Sequence, residues 1–317
     1  MSGGGLVVAL SGGVGGAKLA LGLARVLPAE ELLVVANTGD DFEHLGLAIS
    51  PDLDTLMYAL AGLDNPETGW GRRGETWSFM EALGELGGET WFRLGDRDLA
   101  THVERTRRLR AGETLSQVTA AFCRRLGVGP RLLPMSDDRV RTRLHTEEGW
   151  LDFQDWFVRR RCRPAVRAIA FDGAPAARPQ PEVMAALRGG GLRAVVICPS
   201  NPLISVEPIL ALPGLREAIR GCGAPVVAVS PIIGGEAVKG PTAKMLREFG
   251  ILPSAAAVAR RYRDLLDGYV MDEADAAEAA AAGVPVTLAR TRMVTLADRE
   301  ALARAVLAAA DSLRRAT

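Results

Sequence analysis

The chain has no surplus of charge of either sign: 38 Lys and Arg stand against 38 Asp and Glu. That balance removes the usual electrostatic ground for nucleic-acid binding. The basic run Arg159-Arg160-Arg161-Cys162-Arg163 reads more simply as a solvated or ion-paired strand end than as a polyanion site. Cysteine is sparse. Cys123, Cys162, Cys198 and Cys222 are scattered with no C-x-x-C spacing, which argues against a zinc site or a disulfide framework and fits a reducing cytosol. No uncharged apolar run reaches the length of a membrane span. The opening Met1-Ser2-Gly3-Gly4-Gly5 lacks the basic region and cleavage pattern of a secretory leader. A cytoplasmic protein without nucleic-acid or membrane partners is the expectation. Internal repeats and long low-complexity linkers are absent too.

What remains is ordinary globular material: 48% hydrophobic and 24% charged residues. A chain of 317 residues can bury one large core or two smaller ones. Short β-branched runs read as buried parallel strands: 6–10, 32–36, 194–198, 225–229, 268–271 and 284–288. Helical patterns alternate with them at 16–27, 51–62, 206–221, 241–249, 254–266, 273–282 and 296–314. The alternation implies an α/β fold with a doubly wound, mostly parallel Rossmann-like sheet. Residues 65–130 carry helical patterns, no convincing strand, and Trp70, Trp77 and Trp91. They read as a small helical subdomain inserted into a nucleotide-binding domain made of 1–64 and 131–317. Residues 139–172 look antiparallel: 140–145 and 150–153 alternate polar and apolar around Glu147-Glu148-Gly149, the pattern of a β-hairpin.

The first strand runs into Ser11-Gly12-Gly13-Val14-Gly15-Gly16-Ala17-Lys18. Glycines let backbone N–H groups approach phosphate oxygens, and a helix N-terminus adds a favourable dipole. The spacing is weak as a dinucleotide fingerprint. It is not a Walker A loop, because no Gly-Lys-Ser/Thr follows. A tight turn that needs glycine only for steric reasons is the plainer alternative. Lys18 adds charge to the loop or is a solvated helix residue.

Asp40, Asp41, Asp52 and Asp54 follow within 15 residues. Asp40 and Asp41 fall just past the second strand, where α/β sheets bind ligands. Asp52 and Asp54 open the next helix, and Ser50-Pro51 reads as its N-cap with proline at N1, so the dipole alone accounts for these two. Four converging carboxylates nevertheless repel one another unless a cation offsets them. Mg²⁺ is the natural partner of oxygen ligands beside a diphosphate.

The segment Trp91-Phe92-Arg93-Leu94-Gly95-Asp96-Arg97-Asp98-Leu99-Ala100-Thr101-His102 is either a substrate clamp or a structural ion-pair knot, and His102 reads as a hydrogen-bonded structural residue. Two further loops, Pro199-Ser200-Asn201-Pro202 and Ser230-Pro231-Ile232-Ile233-Gly234-Gly235, follow predicted strands. Hydroxyl, amide and glycine N–H groups there suit a nucleotide or a diphosphate, although Pro and Gly also punctuate ordinary turns.

These motifs resemble the 2-phospho-L-lactate transferase family of coenzyme F-420 biosynthesis. The matching stretches are SGGVGGAKLA from Ser11, NTGDD from Asn37, SPDLDTLMYAL from Ser50 and LGDRDLATH from Leu94. LPMSDD from Leu133, FQDWFV from Phe153, PSNPLISVEPIL from Pro199 and SPIIGGEAVKGP from Ser230 complete the match. The resemblance implies an Mg²⁺-dependent transfer of a phospho-three-carbon acid, 2-phospho-L-lactate or phosphoenolpyruvate. The donor is a guanosine diphosphate-activated acid and the acceptor is the ribityl hydroxyl of the deazaflavin Fo. GMP leaves and (dehydro) coenzyme F-420-0 forms. By the same resemblance Asp40 and Asp54 are catalytic and hold the metal, with Asp54 also near the Fo hydroxyl. Arg93 or Arg97 contacts Fo. Gly12, Gly13, Val14, Gly15, Gly16, Lys18, Ser200, Asn201, Ser230, Gly234 and Gly235 hold the guanosine diphosphate portion. A homodimer is implied as well.

The alternative is a nucleotide-sugar-binding regulator of the same fold, without catalysis. Such proteins lack the Pro-Asp-Leu-Asp-Thr and Gly-Asp-Arg-Asp segments as they stand here, so both segments favour the transferase. A nicotinamide-dependent oxidoreductase rests on the glycine spacing alone.

Overall fold

The apolar runs form one seven-stranded sheet in a computed structural model that describes residues 4–314; Met1-Ser2-Gly3 of the opening segment and residues 315–317 lie outside the described residues. The first half of the chain supplies β1 (Leu6–Ser11), α1 (Gly13–Val26), β2 (Leu32–Ala36), β3 (Phe42–His44), β4 (Leu47–Ile49) and α2 (Pro51–Leu60). Then come α3 (Ser78–Glu85), α4 (Asp96–Arg110), α5 (Leu115–Arg125), β5 (Arg131–Pro134), β6 (Arg141–Thr146), β7 (Gly149–Asp152) and β8 (Val166–Asp172). The second half supplies α6 (Pro181–Arg188), β9 (Leu192–Ile197), α7 (Glu207–Leu210), α8 (Leu215–Arg220), β10 (Val226–Val229), β11 (Ile232–Ile233) and β12 (Glu236–Ala237). The chain closes with α9 (Thr242–Glu248), α10 (Ala255–Arg261), β13 (Gly268–Asp272), β14 (Val286–Ala289) and α11 (Leu296–Arg314).

The main sheet has the order β14-β13-β10-β9-β1-β2-β5, and every neighbouring pair in it is parallel. This is the doubly wound α/β architecture. From β1 the chain steps outward through β2 to β5, then returns to β9 on the other side. The order therefore reverses between β1 and β9, and the crevice beyond their C-terminal ends is where such sheets bind ligands.

Alternation along the central strands divides the core in two. Val7, Ala9, Leu32, Val34, Ala194 and Val196 pack with Leu19 and Leu23 of α1, Leu56 of α2 and Val306 of α11. Val8, Leu10, Leu33, Val35, Val195 and Ile197 pack on the opposite face with Leu187 of α6, Ile219 of α8 and Trp156. Both faces are covered, which is why these strands read as continuous apolar runs.

Several elements differ from the sequence reading. The β3–β4 hairpin and the edge strand β5 are too short to leave a period. The antiparallel stretch 139–172 is a three-stranded sheet in which β8 pairs with β6 beside the β6–β7 hairpin. The helical pattern at 206–221 is a π turn over 202–206 followed by α7 and α8, which break at Gly214 with φ 74°. The Ala-rich run Glu273–Ala282 is a 3₁₀ helix rather than an α-helix. Tertiary anchors decide that geometry. Gly234 N donates to Asp275 (2.8 Å), Ala256 N to Glu278 (3.0 Å), and Arg260 to the Ala281 carbonyl (3.1 Å). A repeat of three residues keeps 275, 278 and 281 on one face.

Candidate functional site

Beyond β1 the chain turns directly into α1. Gly12 is its N-cap, so the N–H groups of Gly12, Gly13, Val14 and Gly15 have no acceptor within the helix. Two are satisfied by side chains. Gly12 N donates to Ser200 Oγ (3.1 Å), which donates back to the Gly12 carbonyl (2.8 Å). Gly13 N donates to Asp52 Oδ1 (2.6 Å). The Val14 and Gly15 amides are left for a ligand, and both residues line a cavity of about 610 Å³ at the switch point. Gly13 has φ +65°, and a side chain on Gly15 would collide with the Pro199 carbonyl oxygen. Here the loop needs its glycines for close approach and for a left-handed turn.

Asp40, Asp52 and Asp54 line the same cavity. Asn37, at the end of β2, organises the first two. Its Nδ2 donates to Asp40 Oδ1 (3.0 Å) and Asp52 Oδ2 (3.0 Å), and its Oδ1 accepts from Gly39 N (2.8 Å). Asp40, Asp41, Asp52 and Asp54 are all buried, between 5% and 7% exposed. Burial, then the neighbouring Asp52 and Asp41, push the Asp40 carboxyl well above the usual range. Burial raises Asp41 to about 7, with Arg141 and the Ser50 hydroxyl pulling the other way. Burial raises Asp52 to about 6 and also lifts Asp54. Ser50 holds the N-cap position of α2, but its hydroxyl donates to Asp41 Oδ2 (2.8 Å) instead of capping the helix.

The residue that meets Asp54 comes from α4. Arg105, 2% exposed, donates to both Asp54 oxygens, with Nη1 3.0 Å from Oδ2. Its Nη1 also lies 3.3 Å from His102 Nδ1. A guanidinium has no acceptor, so Nδ1 carries the lone pair and the imidazole proton sits on Nε2. Nε2 faces Asp98 Oδ2 at 3.4 Å. Asp98 Oδ1 accepts from the Tyr58 hydroxyl (2.6 Å). Burial pushes Asp98 up, yet the facing His102 Nε2–H and the bond from the Tyr58 hydroxyl hold it below the usual range. Asp98, His102 and Arg105 follow at spacings of four and three, one face of α4.

Asp54, Asp98 and His102 bring one ligand atom each within 4.8 Å of one another. Arg105 already occupies Asp54 on that side, which disfavours a cation there. The cavity side suits a cation better. Asp40, Asp52 and Asp54 supply hard oxygens there, and burial raises all three carboxyls, with the charge of Asp52 adding at Asp40. That donor set fits Mg²⁺.

The remaining sequence-selected residues fall into two groups. Lys18, Arg93, Asn201 and Ser230 line the cavity. Lys18 Nζ donates to the Met293 carbonyl (2.8 Å), and burial, then Arg299 and Lys239, lower its pKa. Asn201 Oδ1 accepts from Leu203 N (2.9 Å), and Ser230 Oγ donates to the Ile232 carbonyl (2.9 Å). Arg93 lies over the Trp77 ring at 4.0 Å. Gly16, Arg97, Gly234 and Gly235 are outside the lining. Gly16 packs its backbone against Ser11 and Ser200. Arg97 donates to the Arg73 carbonyl (3.2 Å), beside Glu75, which caps α4 through the Arg97 and Asp98 amides. Gly234 and Gly235 form the β11–β12 turn.

The sequence reading passed over Asn37, Tyr58, Arg105 and the aromatic wall that Phe153 and Phe157 form with Trp91 and Phe92 of the candidate clamp segment. The Asp98, His102, Arg105 spacing was the signal for the α4 face. The wall left none, because its rings come from distant segments. Phe153 and Phe157 stack at 5.3 Å.

Comparison with known proteins agrees with this arrangement. The family model for 2-phospho-L-lactate transferase CofD matches residues 7–309. A phosphoenolpyruvate transferase of Kitasatospora aureofaciens is 46% identical, over 97% of this chain and 98% of that one. Phosphoenolpyruvate transferases of Streptomyces coelicolor (43% identical, 98% and 99% covered) and Mycolicibacterium smegmatis (42%, 86% and 89%) are also similar. A crystal structure of a UPF0052-family protein from Bacillus halodurans shares the fold, with a TM-score of 0.65 at 15% identity, over 96% of this chain and 98% of that one. The chain thus belongs to the 2-phospho-L-lactate transferase CofD family.

Proposed function

We propose that this protein transfers a phospho-three-carbon acid from a guanosine diphosphate-activated donor to the primary hydroxyl of the deazaflavin Fo, releasing GMP. The names of its relatives favour phosphoenolpyruvate as the transferred acid. One observation carries the reading. Asp52 bonds the first amide of α1 at 2.6 Å, beside the two amides left for a ligand. A phosphate drawn to that helix end meets a carboxylate cluster, so the site works only with a cation between the two.

Asp40 and Asp54, with Asp52, would hold Mg²⁺, which supplies neutralisation of the charge that builds on the diphosphate as the bond breaks. The chain's own groups do the rest. The Val14 and Gly15 amides bind phosphate oxygens at the helix end. Ser200 fixes the loop by its two bonds to Gly12. Asp54, held in one orientation by Arg105, orients the acceptor hydroxyl and accepts its proton. The aromatic wall offers flat apolar surface for the deazaflavin ring and excludes water from the reacting atoms.

Mass spectrometry of a reaction containing Fo, Mg²⁺ and each guanosine-diphosphate donor in turn tests this. A phospho-acid adduct of Fo with stoichiometric GMP is expected. Folded protein that yields no adduct with any donor contradicts the reading and returns weight to the non-catalytic nucleotide-sugar binder.

A further inference from the structure

The cationic side chains lining the cavity are not equivalent. Lys18 is tied to the Met293 carbonyl (2.8 Å), Lys239 to the Thr68 carbonyl (3.2 Å), and Arg93 lies on the Trp77 ring (4.0 Å). Arg161 also lines the cavity, and among the described residues its guanidinium has no hydrogen-bond, ion-pair or ring partner. Its neighbours in the basic run are all engaged. Arg159 bonds Glu89 (3.4 Å) and covers the Trp91 ring (5.5 Å). Arg160 bonds Asp155 (2.7 Å) and Glu148, and Arg163 bonds the Arg160 carbonyl (3.3 Å). Arg159 and Arg160 are ion-paired and Arg163 is held by a backbone carbonyl, which leaves Arg161 as the exposed, solvated member of the run.

The backbone singles out the same residue. Arg161 and Cys162 have φ of 53° and 56°, consecutive non-glycine residues in the left-handed region. Such a conformation persists only where the surroundings enforce it, and it concentrates at binding sites. Here the enforcement is visible. Arg160 N donates to the Asp155 carbonyl (2.9 Å) and Cys162 N to the Trp156 carbonyl (2.9 Å). The fully buried Trp156 bonds the Pro164 carbonyl (2.9 Å). The same segment is tied to the acid cluster, because Gln154 Nε2 donates to the Asp40 carbonyl (3.2 Å).

The proposed donor has two anionic parts. Its diphosphate has counter-charge at the start of α1 and from a cation on the aspartates. Its carboxylate has neither, and a carboxylate taken out of water needs a paired charge. A guanidinium fork matches it with two parallel bonds. We propose that Arg161 is the specificity-determining residue that receives the carboxylate of the three-carbon acid. This rests on the function proposed above.

Calorimetric titration in Mg²⁺ with two probes tests it: GDP, and GDP esterified with lactate, which adds the carboxylate. The unaltered protein should bind both. Arg161→Gln should weaken the lactyl probe by about 10- to 100-fold, the range of a charge-assisted hydrogen bond, and GDP by no more than about twofold. Arg161→Gly should show the same split with no fall in Tm, since glycine adopts the positive φ without strain. Equal weakening of both probes would assign Arg161 to the diphosphate and overturn the proposal. An unchanged ratio of the two affinities in both variants overturns it as well. An unaltered protein that binds neither probe overturns the proposed function and this inference together.

Discussion

At the scale of single residues, the site is set by how buried charges are partnered. Asp54 is an obvious candidate for substitution, but it is also the partner of a buried guanidinium. Asp54→Ala takes from Arg105 its ion-paired carboxylate, and breaking a buried pair costs about 3–5 kcal/mol. The double variant Asp54→Ala, Arg105→Met should recover most of that loss in urea unfolding while transfer stays absent. A double variant as unstable as the single one would show that the pair is not coupled. Asp41 gives a pH test. Its carboxyl is raised to about 7 in the folded protein against 3.8 for an unperturbed aspartate. Between those values the folded state holds a proton that the unfolded state has lost. Stability of the chelated protein should therefore fall as pH rises from about 4 to about 7 and level off above. Tm measured across that range should show the slope, and Asp41→Asn should reduce it. An identical slope in the variant would assign the effect elsewhere. Asp40 and Asp54 stood out in the sequence because like charges crowd one short stretch. Arg105 did not, since it is one of five arginines in α4 and only its helical spacing from Asp98 and His102 sets it apart.

At the scale of elements, α1 depends on close approach more than on its own propensity. Gly15 sits against the Pro199 carbonyl that follows β9, so a methyl group must push the helix start away from the loop. Gly15→Ala should lower stability by about 1–3 kcal/mol, the usual cost of overpacking. It should weaken GDP more than it lowers Tm, because the Val14 and Gly15 amides move with the helix start. Unchanged GDP affinity in a folded variant would remove those amides from the binding site. The strands and longer helices were legible because both faces of the sheet are covered and the apolar runs are unbroken. The 3₁₀ segment was not, because alanine favours the α-helix locally and only distant partners of Asp275 and Glu278 select the tighter winding. The β3–β4 hairpin escaped for a different reason: strands of three residues carry too little alternation to detect.

At the scale of the whole molecule, the strand order makes the site. The glycine loop after β1 and the Ser200 loop after β9 are 188 residues apart in sequence yet hydrogen-bonded across the switch point. Alternating strands and helices predict that such a crevice exists. They do not predict which distant segments close it, and so the wall of Phe153, Phe157 and Arg161 emerges only from the fold. The central claim is that the buried aspartates and the start of α1 form one diphosphate site that needs a cation. Calorimetric titration of GDP at pH 7.5, in Mg²⁺ and again in EDTA, tests it most directly. The account predicts affinity at least about tenfold higher with Mg²⁺, because the aspartates otherwise repel the diphosphate. Equal affinity in EDTA would contradict it.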